Sequence, residues 1–320
     1  MSVKLPSKAQ RPTMYFIGVS TRTSVIMRVF PRWARHLHLA PCRIRGIDLA
    51  LHDSAENYRA VVRFIRDDPL SLGALVTTHK IDLLAACRDM FDSLDPFADM
   101  LGEVSSISKD GGRLLGAAKD PITSGLAVDA FVPKGHWEST RADAFLLGAG
   151  GSSMALSVHL AARERGTDRP ARIFVSNRST GRLKEMEKIH RTLGVDVPVD
   201  YVHTPRAEDN DAILRALAPR SLVANGTGLG KDAPGSPLTS AAVFPEGGFA
   251  WDFNYRGELV FLSQARAQEK SRGLRVVDGW LYFIYGWTSV MAEVFRREIP
   301  SSGPAFDELS RLARACRDRD

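Results

Sequence analysis

Ala144-Phe145-Leu146-Leu147-Gly148-Ala149-Gly150-Gly151-Ser152-Ser153 decides the architecture of the second half of this chain. Four apolar residues read as a buried strand, the glycines predict a tight turn, and Met154 to Ala162 reads as a helix. Gly148 allows the turn, and Gly150 lets backbone N–H groups approach a ligand. Ser153 is small enough for close helix–strand packing. The first N–H groups of a helix lack partners within it, and the helix dipole adds partial positive charge at that end. Strand, glycine turn and helix in this order therefore predict a corner for a pyrophosphate. Gly148, Ala149, Gly150, Gly151, Ser152 and Ser153 are the candidate cradle of a dinucleotide.

The next strand, Arg172-Ile173-Phe174-Val175-Ser176-Asn177, sharpens that expectation. A site for NAD(H) usually closes this strand with an acid for the ribose 2′-hydroxyl. Here the strand runs into Asn177-Arg178-Ser179-Thr180, with Arg182 just beyond. A guanidinium forks onto phosphate oxygens, so the corner favours NADP(H) over NAD(H). Asn177, Arg178 and Ser179 are its candidate residues. The competing reading makes Arg178 and Arg182 solvated residues that open a helix from Leu183 to Leu193.

Outward from this corner the pattern is βαβα: strand 144–147, helix 154–165, strand 172–176, helix 182–193, strand 200–202, helix 209–217, strand 222–225, strand 249–253, helix 259–270 and strand 274–277. Strands regularly separated by helices predict a doubly wound parallel sheet. The first half alternates as well, with strands at 14–18, 43–49 and 72–77. Its helices are expected over 25–39, interrupted near Pro31, and over 55–66 and 81–90. Glu103 to Ser108 and Arg113 to Ala117 read as a strand pair around Asp110-Gly111-Gly112. A helix from Pro121 to Phe131 leads to Pro133-Lys134-Gly135, the expected domain boundary. The expected division is 1–133 and 134–287, with helices over 288–320 packing back on the first domain.

The chain has 320 residues, 44% of them hydrophobic and 25% charged, which is enough to bury two cores and argues against extensive disorder. No apolar run approaches the roughly 20 residues of a membrane span. Residues Met1 to Pro12 lack the apolar stretch of a secretory signal. The net charge of +6 is spread along the chain rather than clustered, so a nucleic-acid surface is not expected. Attraction of an anionic cofactor and an acidic substrate accounts for it. Cys42, Cys87 and Cys316 have no metal-ligand spacing and are odd in number, which fits reduced thiols and a cytoplasmic protein.

Six further segments, in collinear order, resemble the shikimate dehydrogenase family. Val76-Thr77-Thr78-His79-Lys80 is similar to its Val-Thr-x-Pro-x-Lys segment, one residue short and without the proline. Leu101-Gly102-Glu103-Val104-Ser105-Ser106 stands where the family has Gly-Ala-Val-Asn-Thr, and Gly116-Ala117-Ala118-Lys119-Asp120 where it has Gly-x-Asn-Thr-Asp. The glycine turn and Asn177-Arg178-Ser179 are similar to its NADP motifs. Asn225-Gly226-Thr227-Gly228-Leu229-Gly230 and Asp252-Phe253-Asn254-Tyr255 resemble its later cofactor-side loops, and Asp278-Gly279 its terminal turn. The resemblance adds Asn225, Thr227 and Gly279 to the cofactor residues. It implies an N-terminal α/β substrate-binding domain, a C-terminal Rossmann-type NADP-binding domain and a cleft between them. It also implies hydride transfer with a ring alcohol or ketone, a Lys80/Asp120 catalytic pair, and a monomer or homodimer. The pair suits the chemistry, since the hydroxyl must lose its proton as hydride leaves carbon. A surface lysine at a helix start and an N-capping aspartate are the alternatives for Lys80 and Asp120.

The substrate-holding positions depart from the family. Its Ser-x-Ser becomes Thr21-Arg22-Thr23, or alternatively Ser20 and Ser24. Its two asparagines become Ser105 and Ala118, and its glutamine falls at Gly286. Thr21, Thr23, Thr77 and Ser105 are the candidate substrate residues for a carboxylated ring compound. Each unpaired buried polar group costs about 1–3 kcal/mol, so three lost partners favour a substrate other than shikimate. Two further readings remain: a non-catalytic NADP(H)- or metabolite-binding regulator on the same fold, and an authentic shikimate or quinate dehydrogenase with a rearranged pocket.

Overall fold

A computed structural model describes residues 3–231 and 233–317. The chain divides into two compact units. Unit 1 runs to Lys119 and resumes at Ile284, and unit 2 is Asp120–Phe283.

Unit 1 begins with β1 (Thr13–Gly18), α1 (Ile26–His36), β2 (Arg43–Asp48), α2 (Ala55–Asp67), β3 (Ser71–Val76) and α3 (Lys80–Cys87). It continues with β4 (Ser93–Leu94), α4 (Pro96–Leu101), β5 (Ser106–Asp110) and β6 (Arg113–Ala117). The sheet order is β2-β1-β3-β5-β6-β4. β1 is buried at every residue and pairs in parallel with β2 and β3, whereas β5 pairs antiparallel with β3 and β6. The strand pair expected around Asp110-Gly111-Gly112 is the β5–β6 hairpin. Tyr15, Ile17, Val61, Val62, Ile65, Val76, Leu83 and Leu84 meet in the core beneath it.

Helix α1 passes through Pro31 instead of stopping there. An interior proline costs about 3 kcal/mol, but this helix buries Ile26, Val29, Phe30 and Trp33. Burying side chains of that size stabilises by about 1.5–3 kcal/mol each, which outweighs the cost. Helix α4 escaped periodicity because it is one turn and a half. Its punctuation was nonetheless in the sequence: Asp95 caps it by accepting from the Ala98 N–H, Pro96 follows, and Gly102 ends it at φ +64°.

Unit 2 comprises α5 (Asp120–Asp129), α6 (His136–Thr140), β7 (Ala144–Leu147), α7 (Gly151–Ala161), β8 (Ile173–Asn177), α8 (Thr180–Thr192), β9 (Val199–His203), α9 (Ala207–Ala216), β10 (Leu222–Asn225), β11 (Phe249–Asp252), α10 (Val260–Arg272) and β12 (Arg275–Val277). All six strands are parallel, in the order β12-β11-β10-β7-β8-β9. Counted within the unit this is 3-2-1-4-5-6, the doubly wound dinucleotide-binding order, with its switch point at β7. The division falls at Asp120 instead of Pro133–Gly135, because α5 packs along α7. The ring of His159 on α7 lies where a side chain at Gly125 on α5 would stand.

Two helices close the chain, α11 (Trp280–Phe295) and α12 (Gly303–Arg317). From Ile284 onward they belong to unit 1. Trp287 packs edge-on to Phe16 at 5.0 Å, and the Trp33 indole donates to the Leu309 carbonyl at 2.8 Å. No helix among the described residues is long and apolar enough to cross a membrane. The three cysteines are free thiols.

Candidate active site

In unit 2 the decisive stretch forms a backbone cradle. Gly148 sits at φ +93°, and a Cβ there would come within 3.2 Å of the Gly226 carbonyl and Thr227 Cα. The first bond within α7 is Met154 N–H to Gly150 O, so the N–H groups of Gly151, Ser152 and Ser153 have no partner inside the helix. The buried Ser153 hydroxyl likewise lacks a hydrogen-bond partner among the described residues. These are the donors a pyrophosphate takes up, so the residues fit a dinucleotide.

Asn177 ties the cradle to the exit of β8. Its Oδ1 accepts from the Ala149 N–H at 3.2 Å, and its Nδ2 donates to the carbonyl and hydroxyl of Ser179, both at 3.0 Å. Arg178 and Ser179 are exposed beside it. Arg182 is engaged by Glu185 at 2.9 Å.

Asn225 and Thr227 face inward. Asn225 Nδ2 donates to Asp252 at 3.0 Å, and its Oδ1 accepts from the Thr227 N–H and hydroxyl at 3.1 and 2.7 Å. These side chains therefore shape the loop after β10. Asp252 is fully buried, and burial pushes its carboxyl up to about 6 despite the bonds from Asn225 and the Asn254 N–H. The sequence placed Asp252 in a cofactor-side loop without revealing this supporting role. At Gly279 a Cβ would meet the Phe253 carbonyl at 2.0 Å, so only glycine fits that approach. Asp120 begins α5 and is 5% exposed.

In unit 1 the candidate residues gather where β1 and β3 end, the edge at which open α/β sheets bind ligands. The Thr77 N–H donates to the Ile17 carbonyl at 3.0 Å. A Cβ at Gly18 would meet the methyl groups of Thr77 and Thr21 at 3.0 and 3.3 Å. Thr21 is committed: its N–H and hydroxyl both donate to Asp48 Oδ1, at 2.8 and 2.5 Å. Thr23 and Arg22 are exposed. Ser105 is buried, donates to the Ala117 carbonyl at 3.4 Å and accepts from the Lys119 N–H at 2.8 Å. Lys80 is half-buried and opens α3, and its carbonyl accepts from the Val104 N–H at 3.2 Å. Lys119 is held by Glu293 at 2.6 Å. Gly286, at the position of the family's glutamine, faces open space.

No family model matches the chain. A shikimate dehydrogenase (NADP(+)) of Streptococcus gordonii is 27% identical over 258 residues, covering 80% of this chain and 83% of the relative. Another, from Symbiobacterium thermophilum, is 30% identical over 67% of this chain and 68% of its own length. The chain belongs to the shikimate dehydrogenase family. The family's fold is present throughout. The Thermus thermophilus shikimate dehydrogenase, solved with NADP(H) and shikimate, superposes with a TM-score of 0.65 at 21% identity, covering 95% of this chain and 99% of that one.

Proposed function

We propose that this protein is a cytoplasmic, NADP-dependent dehydrogenase of a carboxylated cyclic alcohol, or reductase of the matching ketone, with a substrate distinct from shikimate. The observation that carries this reading is the glycine cradle on a 3-2-1-4-5-6 parallel sheet, with Arg178 at the end of the second strand. Gly148 to Ser153 hold the pyrophosphate, Asn177, Arg178 and Ser179 the 2′-phosphate, and the Asn225–Thr227 loop and Gly279 the remainder. When bound, the nicotinamide supplies the hydride acceptor or donor.

The chain's own residues manage the proton. Lys80 and Asp120 are the groups assigned to the reacting hydroxyl, which must lose its proton as hydride leaves carbon. Burial lowers a lysine's affinity for its proton, while a nearby carboxylate holds and orients the ammonium. Thr23, Thr77 and Ser105 supply hydroxyls for the substrate. Thr21 joins them only by exchanging Asp48 for the substrate carboxylate. Gly286 leaves room for a substituent where the family has an amide, which favours a ring other than shikimate.

The test is NADP⁺ reduction by the purified protein across shikimate, quinate and other cyclic hydroxy acids, with Lys80→Ala and Asp120→Asn alongside. A positioned acid–base group contributes on the order of 10²–10⁴ in rate. Turnover that falls by that factor in both variants supports the dehydrogenase and names its substrate. Shikimate as the best substrate would restore the authentic enzyme. NADPH binding without turnover on any compound would favour a regulator on the same fold.

A further inference from the structure

The turn that carries Lys80 is one residue shorter than the family's and lacks its proline. Backbone bonds hold it on both sides: the Thr77 N–H donates to the Ile17 carbonyl at 3.0 Å and the Val104 N–H to the Lys80 carbonyl at 3.2 Å. Helix α3 starts at Lys80, and its N-cap, His79, makes no side-chain capping bond. A cation in the first turn is also opposed by the helix dipole.

The side chain of His79, the residue before Lys80, ties this turn to the rest of unit 1. The ring is 1% exposed and lies with its centroid 5.7 Å from that of Tyr58 on α2. Its Nδ1 is 3.1 Å from the Tyr58 hydroxyl. That hydroxyl accepts from the Asp53 N–H at 3.2 Å, so its own proton is free to go to Nδ1. The imidazole proton then sits on Nε2. Nε2 is buried without a fully formed hydrogen bond, although the Gly18 carbonyl beside it favours a proton there. Burial holds the ring in its neutral form, and it also pushes the Tyr58 phenol up to about 12. One imidazole thus joins α2, the exit of β1 and the residue before Lys80.

We propose that His79, clamped by Tyr58, is the positioning residue that aims Lys80. The inference rests on the assignment of Lys80 to the proton chemistry. Its logic is that of preorganisation: a displacement of about 1 Å in a reacting group can cost about a hundredfold in rate. A neutral ring held by a phenol does this without adding a second positive charge beside the lysine.

Tyr58→Phe, which removes one oxygen, and His79→Phe, which keeps a ring, test it in the full-length protein. Turnover is followed with the best cyclic hydroxy acid. Lys80 itself is followed by the carbon-13 signal of its reductively methylated amine, assigned by its absence in Lys80→Ala. Both variants are expected to lower kcat on the order of ten- to a hundredfold, to leave the KM for NADP⁺ unchanged, and to shift the Lys80 signal and its titration. A merely structural role would lower thermal stability and leave that titration in place. If His79→Phe fails to fold, Tyr58→Phe decides alone. Unchanged kcat and an unchanged Lys80 titration would overturn the proposal. Full turnover in Lys80→Ala would instead remove the assignment it rests on, and the carbon-13 titration would still show whether His79 positions the lysine.

Discussion

The two units build their halves of the chemistry from different materials. In unit 2 the candidate cofactor site is backbone: a glycine at φ +93°, the open N–H groups of α7, and a glycine against the Phe253 carbonyl. In unit 1 it is side chains already engaged: Thr21 with Asp48, His79 with Tyr58, and Ser105 with the Ala117 carbonyl and the Lys119 N–H. Backbone sites survive any substitution that spares their few glycines. Side-chain sites shift whenever one partner changes. A chain can therefore keep its dinucleotide corner while the side chains of unit 1 change.

The largest effect is expected where the backbone is least forgiving. Gly148→Ala places a Cβ 3.2 Å from the Gly226 carbonyl, at a φ that L residues rarely adopt. Left-handed strain costs about 1–2 kcal/mol before the contact and the displaced cradle are counted. NADPH affinity should therefore fall on the order of a hundredfold. Fluorescence titration measures it, and hydrogen exchange in unit 1 should be unchanged. Affinity within a factor of about three of the parent would break the contrast, because the cradle would then not be a backbone device.

The same contrast governs what could be read from sequence. The glycine turn and the alternation of strands and helices were legible because each depends on residues adjacent in the chain. Helix α1 was foreseen, but not its passage through Pro31, since the burial of Trp33 and Phe30 that sustains it is tertiary. The Thr21–Asp48 and Tyr58–His79 pairs join residues 27 and 21 apart, and no local pattern signals them. Asp252 was visible as a motif residue, but its burial and its bond to Asn225 appear only once β10 and β11 are paired. The boundary at Asp120 was hidden for the same reason, because helix α5 declares its unit through α7.

Arg178 sharpens the contrast within unit 2, being an exposed side chain beside the backbone cradle. Arg178→Ala should weaken NADP(H) binding about tenfold, close to 1.4 kcal/mol, because an exposed charged pair keeps only part of its Coulomb energy. NAD(H), lacking the phosphate, should bind as before. Arg182→Ala should do less, since Glu185 already holds that guanidinium. Paired titrations with both cofactors decide it. Equal losses for NADP(H) and NAD(H) would mean that Arg178 supports the corner structurally.

The smallest effect concerns acid. In unit 2 the carboxyl of Asp252 is raised from 3.8 to about 6, so its contribution is full below its unfolded value and is lost as pH rises through 6. Burial lowers His190 from 6.5 to about 4, so its contribution is present above 6.5 and is lost as pH falls through 4. The two shifts are nearly equal and opposite, and they cancel to roughly 1 kcal/mol. In unit 1 burial lowers His79, and Asp68 is also lowered: burial opposes ionisation there, but the Ala9 and Leu70 N–H groups and the Tyr15 hydroxyl favour the carboxylate. Both of those contributions are lost as pH falls. In unit 2 burial also lowers His136, and Asp129 is lowered too: burial opposes ionisation, but the His159 ring and Arg165 favour its carboxylate. Both units therefore lose stability on acidification, and Asp252 is the group that opposes the loss in unit 2. Hydrogen exchange, corrected for intrinsic rates, should show Asp252→Asn losing more protection in unit 2 than the parent as pH falls from about 7 to about 4.5, with unit 1 unchanged. An equal loss in parent and variant would mean that the buried Asp252 carboxyl does not set the acid response of unit 2.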